Sequence, residues 1–201
     1  MREGEGKLSV LRGQKRLAVQ KLISDAALPL FLERGFAEVT TDQISAAAGI
    51  SPRSFFRYFE TKEDVVVGYL TEAGRHVQAA LEDRPPAEAS WDALRAAFGA
   101  LLMGFSDSRQ VLRRTTRMLL ETPSLRARHL EKQLQWQEFL VPDIAKRLGS
   151  TAGIEDVRAS ALVASALACL DAAANAWAVA DDDTPIETLL DAAISAVRHG
   201  S

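Results

Sequence analysis

The segment from Pro52 to Phe59 carries the side chains best suited to chemistry in this 201-residue chain. At helical spacing, Phe55 and Phe59 would supply one buried face of a short helix. The side chains left facing outward or sideways are Arg53, Ser54, Phe56, Arg57 and Tyr58. An arginine can donate two hydrogen bonds to O6 and N7 of guanine, and an aromatic edge can pack against a thymine methyl. The pattern therefore predicts a helix that reads base edges.

Other side chains nearby suit the sugar-phosphate backbone. Tyr58 and Lys62 can donate hydrogen bonds to phosphate oxygens, and Thr41 offers a hydroxyl and a backbone N–H at the start of a short helix. Gln43 is a further candidate, although solvation alone would also explain a glutamine at this position. For Arg53 and Arg57 the alternative is an ordinary surface cation.

Three helices must position these side chains. The first is expected from about Gln14 to Arg34, with Pro29 inside it and Gly35 ending it. The second runs from about Asp42 to Ala48 with Thr41 as its N-cap. Gly49 permits a tight turn, and Ser51 followed by Pro52 starts the third. Two short helices joined by a three-residue turn indicate a helix-turn-helix, although a generic helical hairpin also fits.

Residues 16–63 resemble the DNA-binding domain of TetR-family transcriptional regulators. The residues that carry the resemblance are the segment 26–36, Thr40-Thr41, Ile44, the segment 46–51 and the segment 55–63. The resemblance implies that 52–59 is the recognition helix and that Thr41, Tyr58 and Lys62 touch phosphates. It places on the groove face Pro52, Arg53, Ser54, Phe56 and Arg57. Phe56 departs from the family pattern, in which tyrosine is common, and Pro29 replaces a good helix former.

The net charge of −3 is the sum of two unlike parts. Residues 1–62 hold 10 basic and 7 acidic side chains, whereas residues 63–201 hold 14 and 20. We expect a flexible basic arm at 1–15, a helix-turn-helix domain at 16–62 and a helical ligand-binding and dimerisation domain at 63–201. The basic arm is either a frayed tail or an accessory phosphate contact.

The acidic part reads as further helices, which makes the protein all-α with about nine helices in total. The predicted spans are 63–81, 90–105, 108–121, 123–148, 154–180 and 185–199. In the span 154–180, 11 of 27 residues are alanine, and small side chains let helices approach closely. The last two helices are therefore expected to form a homodimer through a four-helix bundle. Burial of the alanine-rich helix within one subunit is the alternative.

The family resemblance also implies a small-molecule pocket among the central helices. The candidate lining residues are Met103, Met118, Trp136, Phe139, Asp171, Asn175 and Trp177. Most bulky side chains are core by default. Asp171 and Asn175 lie one turn apart, and they could face the pocket, lie at the dimer interface or pair with Arg113 or Arg117. The stretch from Arg113 to Arg128 resembles regulators that sense fatty-acyl or other bulky hydrophobic compounds.

Several classes of function find no support. The three histidines are far apart, the single Cys169 lies in an apolar helix, and there is no glycine-rich phosphate loop. We therefore expect no metal, no cofactor and no enzyme activity. No apolar run of about 18 residues or secretory leader is present, which favours a cytoplasmic protein without a membrane span. The expected function is a ligand-responsive repressor that binds a palindromic operator in double-stranded DNA. The alternative is a helical small-molecule sensor or carrier that acts through a protein partner.

Overall fold

The structure is a computed structural model that describes residues 2–104, 108–150 and 156–199. Within these ranges it contains helices and no strand, which confirms the all-α prediction. The helices are α1 (Arg2–Arg34), α2 (Thr41–Ala47), α3 (Pro52–Phe55), α4 (Lys62–Glu82), α5 (Ser90–Met103), α6 (Arg109–Glu121), α7 (Pro123–Arg147), α8 (Val157–Val179) and α9 (Ile186–His199). The predicted helix ends at 105 and 154 lie outside the described residues.

The chain divides into two compact units, Met1–Tyr69 and Leu70–Ser201. The division falls inside helix α4 rather than at its start, where the sequence placed the boundary. Helix α1 begins at Arg2, well before the predicted start at Gln14. Its first half contains no proline and several good helix formers, so the backbone continues as a helix through the basic segment that the sequence assigned to an arm.

The core of the first unit forms around aromatic side chains. Ile44 and Phe55 are fully buried and Phe59 nearly so, as predicted, while Ile50 is half-buried. The rings of Phe55 and Phe59 lie 5.9 Å apart between centroids, in a tilted arrangement. This burial orients the remaining side chains of the segment 52–58 away from the core.

Helix α8 is the central element of the second unit, where it packs against α5, α6, α7 and α9. Its eight buried residues include Val163, Leu167 and Trp177. By length and hydropathy alone α8 could cross a membrane, but the core helix of a soluble protein passes the same test. Its N-cap is Asp156, whose carboxylate accepts hydrogen bonds from the Arg158 guanidinium and the first-turn backbone, and these hold the pKa of Asp156 well below its ordinary value.

Helix α7 is fastened to the C-terminal half of α4 at two places. Trp136 Nε1 donates to the carbonyl oxygen of Leu70 at 2.8 Å. The indole lies against Gly74, where a Cβ atom would come within 2.5 Å of Trp136 Nε1. Arg147 Nη2 donates to the carbonyl oxygen of Leu81 at 2.6 Å and also reaches the loop that follows α4. Residues far apart in the sequence therefore join these two helices.

Candidate nucleic-acid interface

Helix α2 begins with a reciprocal cap. Thr40 Oγ1 accepts a hydrogen bond from the backbone N–H of Gln43 at 3.2 Å, and Gln43 Oε1 accepts one from the backbone N–H of Thr40 at 2.9 Å. The N-cap is therefore Thr40, and the prediction that Thr41 caps the helix is wrong by one residue. Gln43 is exposed, but its amide oxygen already serves the cap. Thr41 is the first residue of α2 and is half-buried.

The turn and the start of α3 are as predicted from the sequence. Gly49 has a φ of +66°, which few side chains other than glycine tolerate. Ser51 Oγ accepts from the backbone N–H of Ser54 at 3.1 Å, and the two hydroxyls lie 3.0 Å apart. Pro52 occupies the first helical position, where its missing N–H costs no hydrogen bond. These caps fix the direction in which α3 leaves the turn.

Helix α3 is shorter than predicted, since regular α-helix ends at Phe55 instead of Phe59. The chain keeps turning through tighter bonds, from Arg57 N–H to Ser54 O at 3.2 Å and from Tyr58 N–H to Phe55 O at 2.9 Å. Such three-residue bonds wind the backbone more closely than an α-helix does. Phe55 and Phe59 are buried on either side of this tightened turn. The side chains between them therefore remain on one outer face.

The outer face of the segment 52–58 carries the predicted reading residues. Pro52, Arg53, Phe56 and Arg57 are exposed, and Ser54 and Tyr58 are half-buried. Phe56 is 56% exposed, although its ring packs edge-on against Phe55. Within the described ranges neither arginine forms a salt bridge with a carboxylate. Two cations and an aromatic ring on one short face form a surface suited to an anionic, partly apolar partner.

Tyr58 is held from helix α1. Gln20 Nε2 donates to the carbonyl oxygen of Tyr58 at 3.1 Å. The Arg16 guanidinium lies 5.9 Å from the centroid of the Tyr58 ring, and the Arg57 guanidinium lies 5.7 Å from it. Sequence reasoning did not single out Arg16 or Gln20, although their four-residue spacing on a predicted helix was a signal that they share a face.

Lys62, which the sequence predicts as a phosphate contact, makes its contacts within the protein in this structure. Its ammonium group donates to the carbonyl oxygens of Phe36, Ala37 and Val39 at 2.8, 3.1 and 3.0 Å. The same group lies 4.6 Å from the centroid of the Phe36 ring. An ammonium group has three protons, so in this geometry none is left for a phosphate. Lys62 instead fastens the start of α4 to the loop between α1 and α2.

The candidate ligand-binding residues of the second unit are spread over different surroundings. Trp136 and Trp177 are buried, Met118 and Phe139 are half-buried, and Met103 and Asn175 are exposed. Trp136 contacts α4, whereas the Trp177 ring faces the Arg113 guanidinium of α6 at 5.6 Å. The two indoles therefore have different neighbours, and the contacts described do not place these residues around one common pocket.

Asp171 pairs with residues of α7, and not with Arg113 or Arg117, which was one of the three alternatives that the sequence left open. Asp171 Oδ1 lies 3.0 Å from His129 Nε2, and Gln133 donates to Asp171 Oδ2. Arg117 donates to the carbonyl oxygen of Ala178 at 2.7 Å, and Arg113 donates to that of Ala180. These arginines satisfy carbonyl groups at the C-terminus of α8, where cations are also favoured by the helix dipole.

No cluster of three potential metal ligands occurs in the part of the chain that the structure describes. Cys169 is buried, as expected, and burial raises the pKa of its thiol, which favours an unreactive side chain.

Two family models match the chain. The model for bacterial regulatory proteins of the tetR family matches residues 23–68, and the model for the MftR C-terminal domain matches residues 88–201. MftR of Mycobacterium tuberculosis, named as a transcriptional regulator, is 33% identical over 139 residues, which cover 68% of this chain and 69% of that protein. The HTH-type transcriptional regulator TcmR of Streptomyces glaucescens is 32% identical over 145 residues, covering 69% and 64%.

Solved structures show the same fold. The repressor FadR of Thermus thermophilus, determined in complex with lauroyl-CoA, superposes with a TM-score of 0.58 at 25% identity, covering 90% of this chain and 94% of that one. The complex of SmeT from Stenotrophomonas maltophilia with triclosan superposes with a TM-score of 0.63 at 19% identity, covering 89% and 91%.

Proposed function

Because the chain belongs to the TetR family of transcriptional regulators, which are DNA-binding proteins and not enzymes, we propose that it is a cytoplasmic repressor. In this proposal a homodimer binds a palindromic operator and is released when a small molecule binds the second unit. The observation that carries the proposal is the outer face of the segment 52–58, where Arg53, Phe56 and Arg57 are exposed and form no salt bridge with a carboxylate among the described residues.

The proposed roles follow from how each side chain is held. Arg53, exposed in the first turn of α3, reads a base edge through two hydrogen bonds. Phe56 supplies the apolar contact to a thymine methyl, and Thr41 and Tyr58 contact phosphates at the ends of the motif. The remaining contacts are assigned to Gln43, Pro52, Ser54 and Arg57. Lys62 supports the motif from within the protein.

Selection from a pool of random duplexes tests this function. The full-length protein is expected to enrich a sequence with two inverted halves, because two copies of α3 related by a two-fold axis read one turn of DNA apart. Against that sequence, Arg53→Ala should weaken binding about 5- to 150-fold, equivalent to about 1–3 kcal/mol. Arg126→Ala removes an equally exposed arginine of α7 and should leave affinity unchanged. Enrichment of no sequence would contradict the proposal and favour a sensor that acts on a protein partner.

The proposed dimer uses the outer faces of α8 and α9. Between Ala161 and Asn175, the exposed side chains of α8 recur every three or four residues and carry no charge: Ala161, Ala164, Ala168, Ala172 and Asn175. Helix α9 adds Ala192, Ser195 and Ala196. Small side chains allow two such helices to pack closely against their copies. This pattern also explains why an alanine-rich helix keeps one face in solvent within a single chain.

Sedimentation velocity tests the dimer. Ala168→Glu would place a carboxylate in the middle of the α8 face, where its copy across a two-fold axis comes near, and should convert the dimer to monomer. Ala87→Glu adds the same charge at an exposed loop position and should leave the mass unchanged. A wild-type protein that sediments as a monomer at micromolar concentration would exclude this arrangement.

The proposed effector is a hydrophobic or acyl-type small molecule. FadR of Thermus thermophilus was solved with lauroyl-CoA, which carries a long acyl chain, and SmeT was solved with triclosan, an apolar aromatic compound. Titration of the operator complex with acyl-CoA thioesters of increasing chain length, followed by fluorescence anisotropy, should show release by at least one of them. Free CoA serves as the control, and release by free CoA at the same concentration would argue against an acyl effector.

A further inference from the structure

Tyr58 lies close to two guanidinium groups that come from different parts of the first unit. Arg16 belongs to helix α1, whereas Arg57 directly precedes Tyr58 in the chain. Their guanidinium carbons lie 5.9 and 5.7 Å from the centroid of the Tyr58 ring. Both arginines are exposed and the tyrosine is half-buried. We call these three residues the tyrosine cluster.

The tyrosine cluster is positively charged. Among the side chains that the structure describes, no carboxylate forms a salt bridge with Arg16 or Arg57, and both cations lie near one aromatic ring. The ring attracts each guanidinium, but the two positive charges repel each other. An anion that contacts both guanidinium groups would add two attractions to offset this repulsion. The cluster therefore favours binding of a negatively charged partner.

The chemistry of the three side chains selects a phosphate. Each guanidinium presents planar pairs of N–H donors that match two oxygens of a phosphate group. The Tyr58 hydroxyl adds a neutral donor. Gln20, one turn after Arg16 on α1, donates to the carbonyl oxygen of Tyr58 and so holds the tyrosine backbone in place. The donors therefore come from two separate segments, and the backbone of Tyr58 is held by α1.

We infer that Arg16, Arg57 and Tyr58 bind one phosphodiester group of the DNA strand that flanks the bases read by α3. This inference rests on the proposed function and adds Arg16, a residue of helix α1, to the DNA-binding surface. Arg53 lies four residues before Arg57, one turn along the same segment, so the cluster and the reading residue can engage one duplex together. Arg16 thus contributes affinity without sequence preference, whereas Arg53 contributes specificity.

Salt dependence of binding to the selected operator tests the inference. Each phosphate contact contributes about 0.9 to the slope of log K against log salt concentration, so Arg16→Ala should reduce the slope by about 0.9. Between 50 and 200 mM salt, the wild-type affinity should fall about 3.5-fold more than that of Arg16→Ala. Arg16→Lys should restore the slope, because the charge remains, but only part of the affinity. Tyr58→Phe should lower affinity with little change in slope.

Lys21→Ala is the control, since it removes one exposed charge of α1 outside the basic arm 1–15. It should change the slope less than Arg16→Ala does, and both variants should melt at the wild-type temperature. A wild-type slope for Arg16→Ala, or an equal effect of Lys21→Ala, would overturn the tyrosine cluster while leaving the proposed function intact. Absence of any DNA binding by the wild-type protein would overturn both.

Discussion

Replacement of Lys62 by alanine distinguishes a structural lysine from a DNA-contacting one. The Lys62 ammonium group donates to three backbone carbonyl oxygens of the loop after α1 at 2.8, 3.1 and 3.0 Å. It also lies over the ring of Phe36. Alanine removes all four interactions and leaves three carbonyl groups to be satisfied by water. We therefore expect Lys62→Ala to destabilise the first unit rather than to weaken DNA binding directly.

The magnitude follows from the number and exposure of these bonds. A hydrogen bond to a charged group contributes about 1.5–3 kcal/mol, and carbonyl groups that regain water recover much of this. Since one of the three bonds is exposed and the other two are partly buried, the sum is about 3 kcal/mol. For a chain of this length, that corresponds to a melting temperature lower by about 6–12 °C.

Scanning calorimetry and salt-dependent operator binding are the two assays. Lys21→Ala is the control, because Lys21 pairs only with Asp25 across a highly exposed turn of α1 and should cost about 0.5 kcal/mol or less. Below its melting temperature Lys62→Ala should retain the wild-type salt slope. A wild-type melting temperature together with a slope reduced by about 0.9 would refute this reasoning and assign Lys62 to a phosphate.

Three further tests address the packing and the caps. Gly74→Ala should destabilise the protein by about 2 kcal/mol and shift tryptophan emission, because the new Cβ would displace the Trp136 indole. Gly99→Ala is the control: its Cβ would lie 3.7 Å from Arg95 Nη1, an ordinary contact, and it should stabilise the protein by about 0.5–1 kcal/mol in thermal melts. Thr40→Ala should cost about 1 kcal/mol in urea unfolding as the lost N-cap of α2, and an equal cost for Thr41→Ala would contradict the capping assignment. Because the pKa of Asp156 is lowered in the folded protein, its charge stabilises the fold above a pH of about 4, and this contribution is lost as the pH falls further. Asp156→Asn should therefore reduce the loss of unfolding free energy between about pH 4 and lower pH in a urea-unfolding series. An unchanged loss would contradict this assignment.

Local rules predicted the parts of the interface that depend on neighbouring residues. Ser51 and Pro52 start α3 as expected, because a cap and a first-turn proline act within one turn of helix. The misassigned cap of α2 was also within reach of the sequence. Thr40 has Gln43 three residues later, which completes a capping box, whereas Thr41 has Ile44 at that position.

Contacts between distant residues could not be placed from the sequence. Lys62 finds its carbonyl partners 23 to 26 residues earlier, and Asp171 finds His129 and Gln133 on another helix. Nothing local distinguishes a lysine that faces a phosphate from one that folds back onto the loop after α1. In the same way, the sequence left three alternatives for Asp171, among them an arginine partner, and the packing of α7 against α8 brought a histidine and a glutamine to it instead.

The two fastenings between α4 and α7 have the same spacing on both helices. Trp136 and Arg147 are 11 residues apart on α7, and their acceptors Leu70 and Leu81 are 11 residues apart on α4. Eleven residues make about three helical turns, so both partners face the neighbouring helix. Both bonds form only if α4 and α7 have the same number of residues between the two contacts. A single inserted or deleted residue in either stretch would rotate one partner by about 100° and break one bond. Insertions and deletions should therefore be tolerated in the loops of this unit but excluded from both stretches, unless they occur in the two helices together.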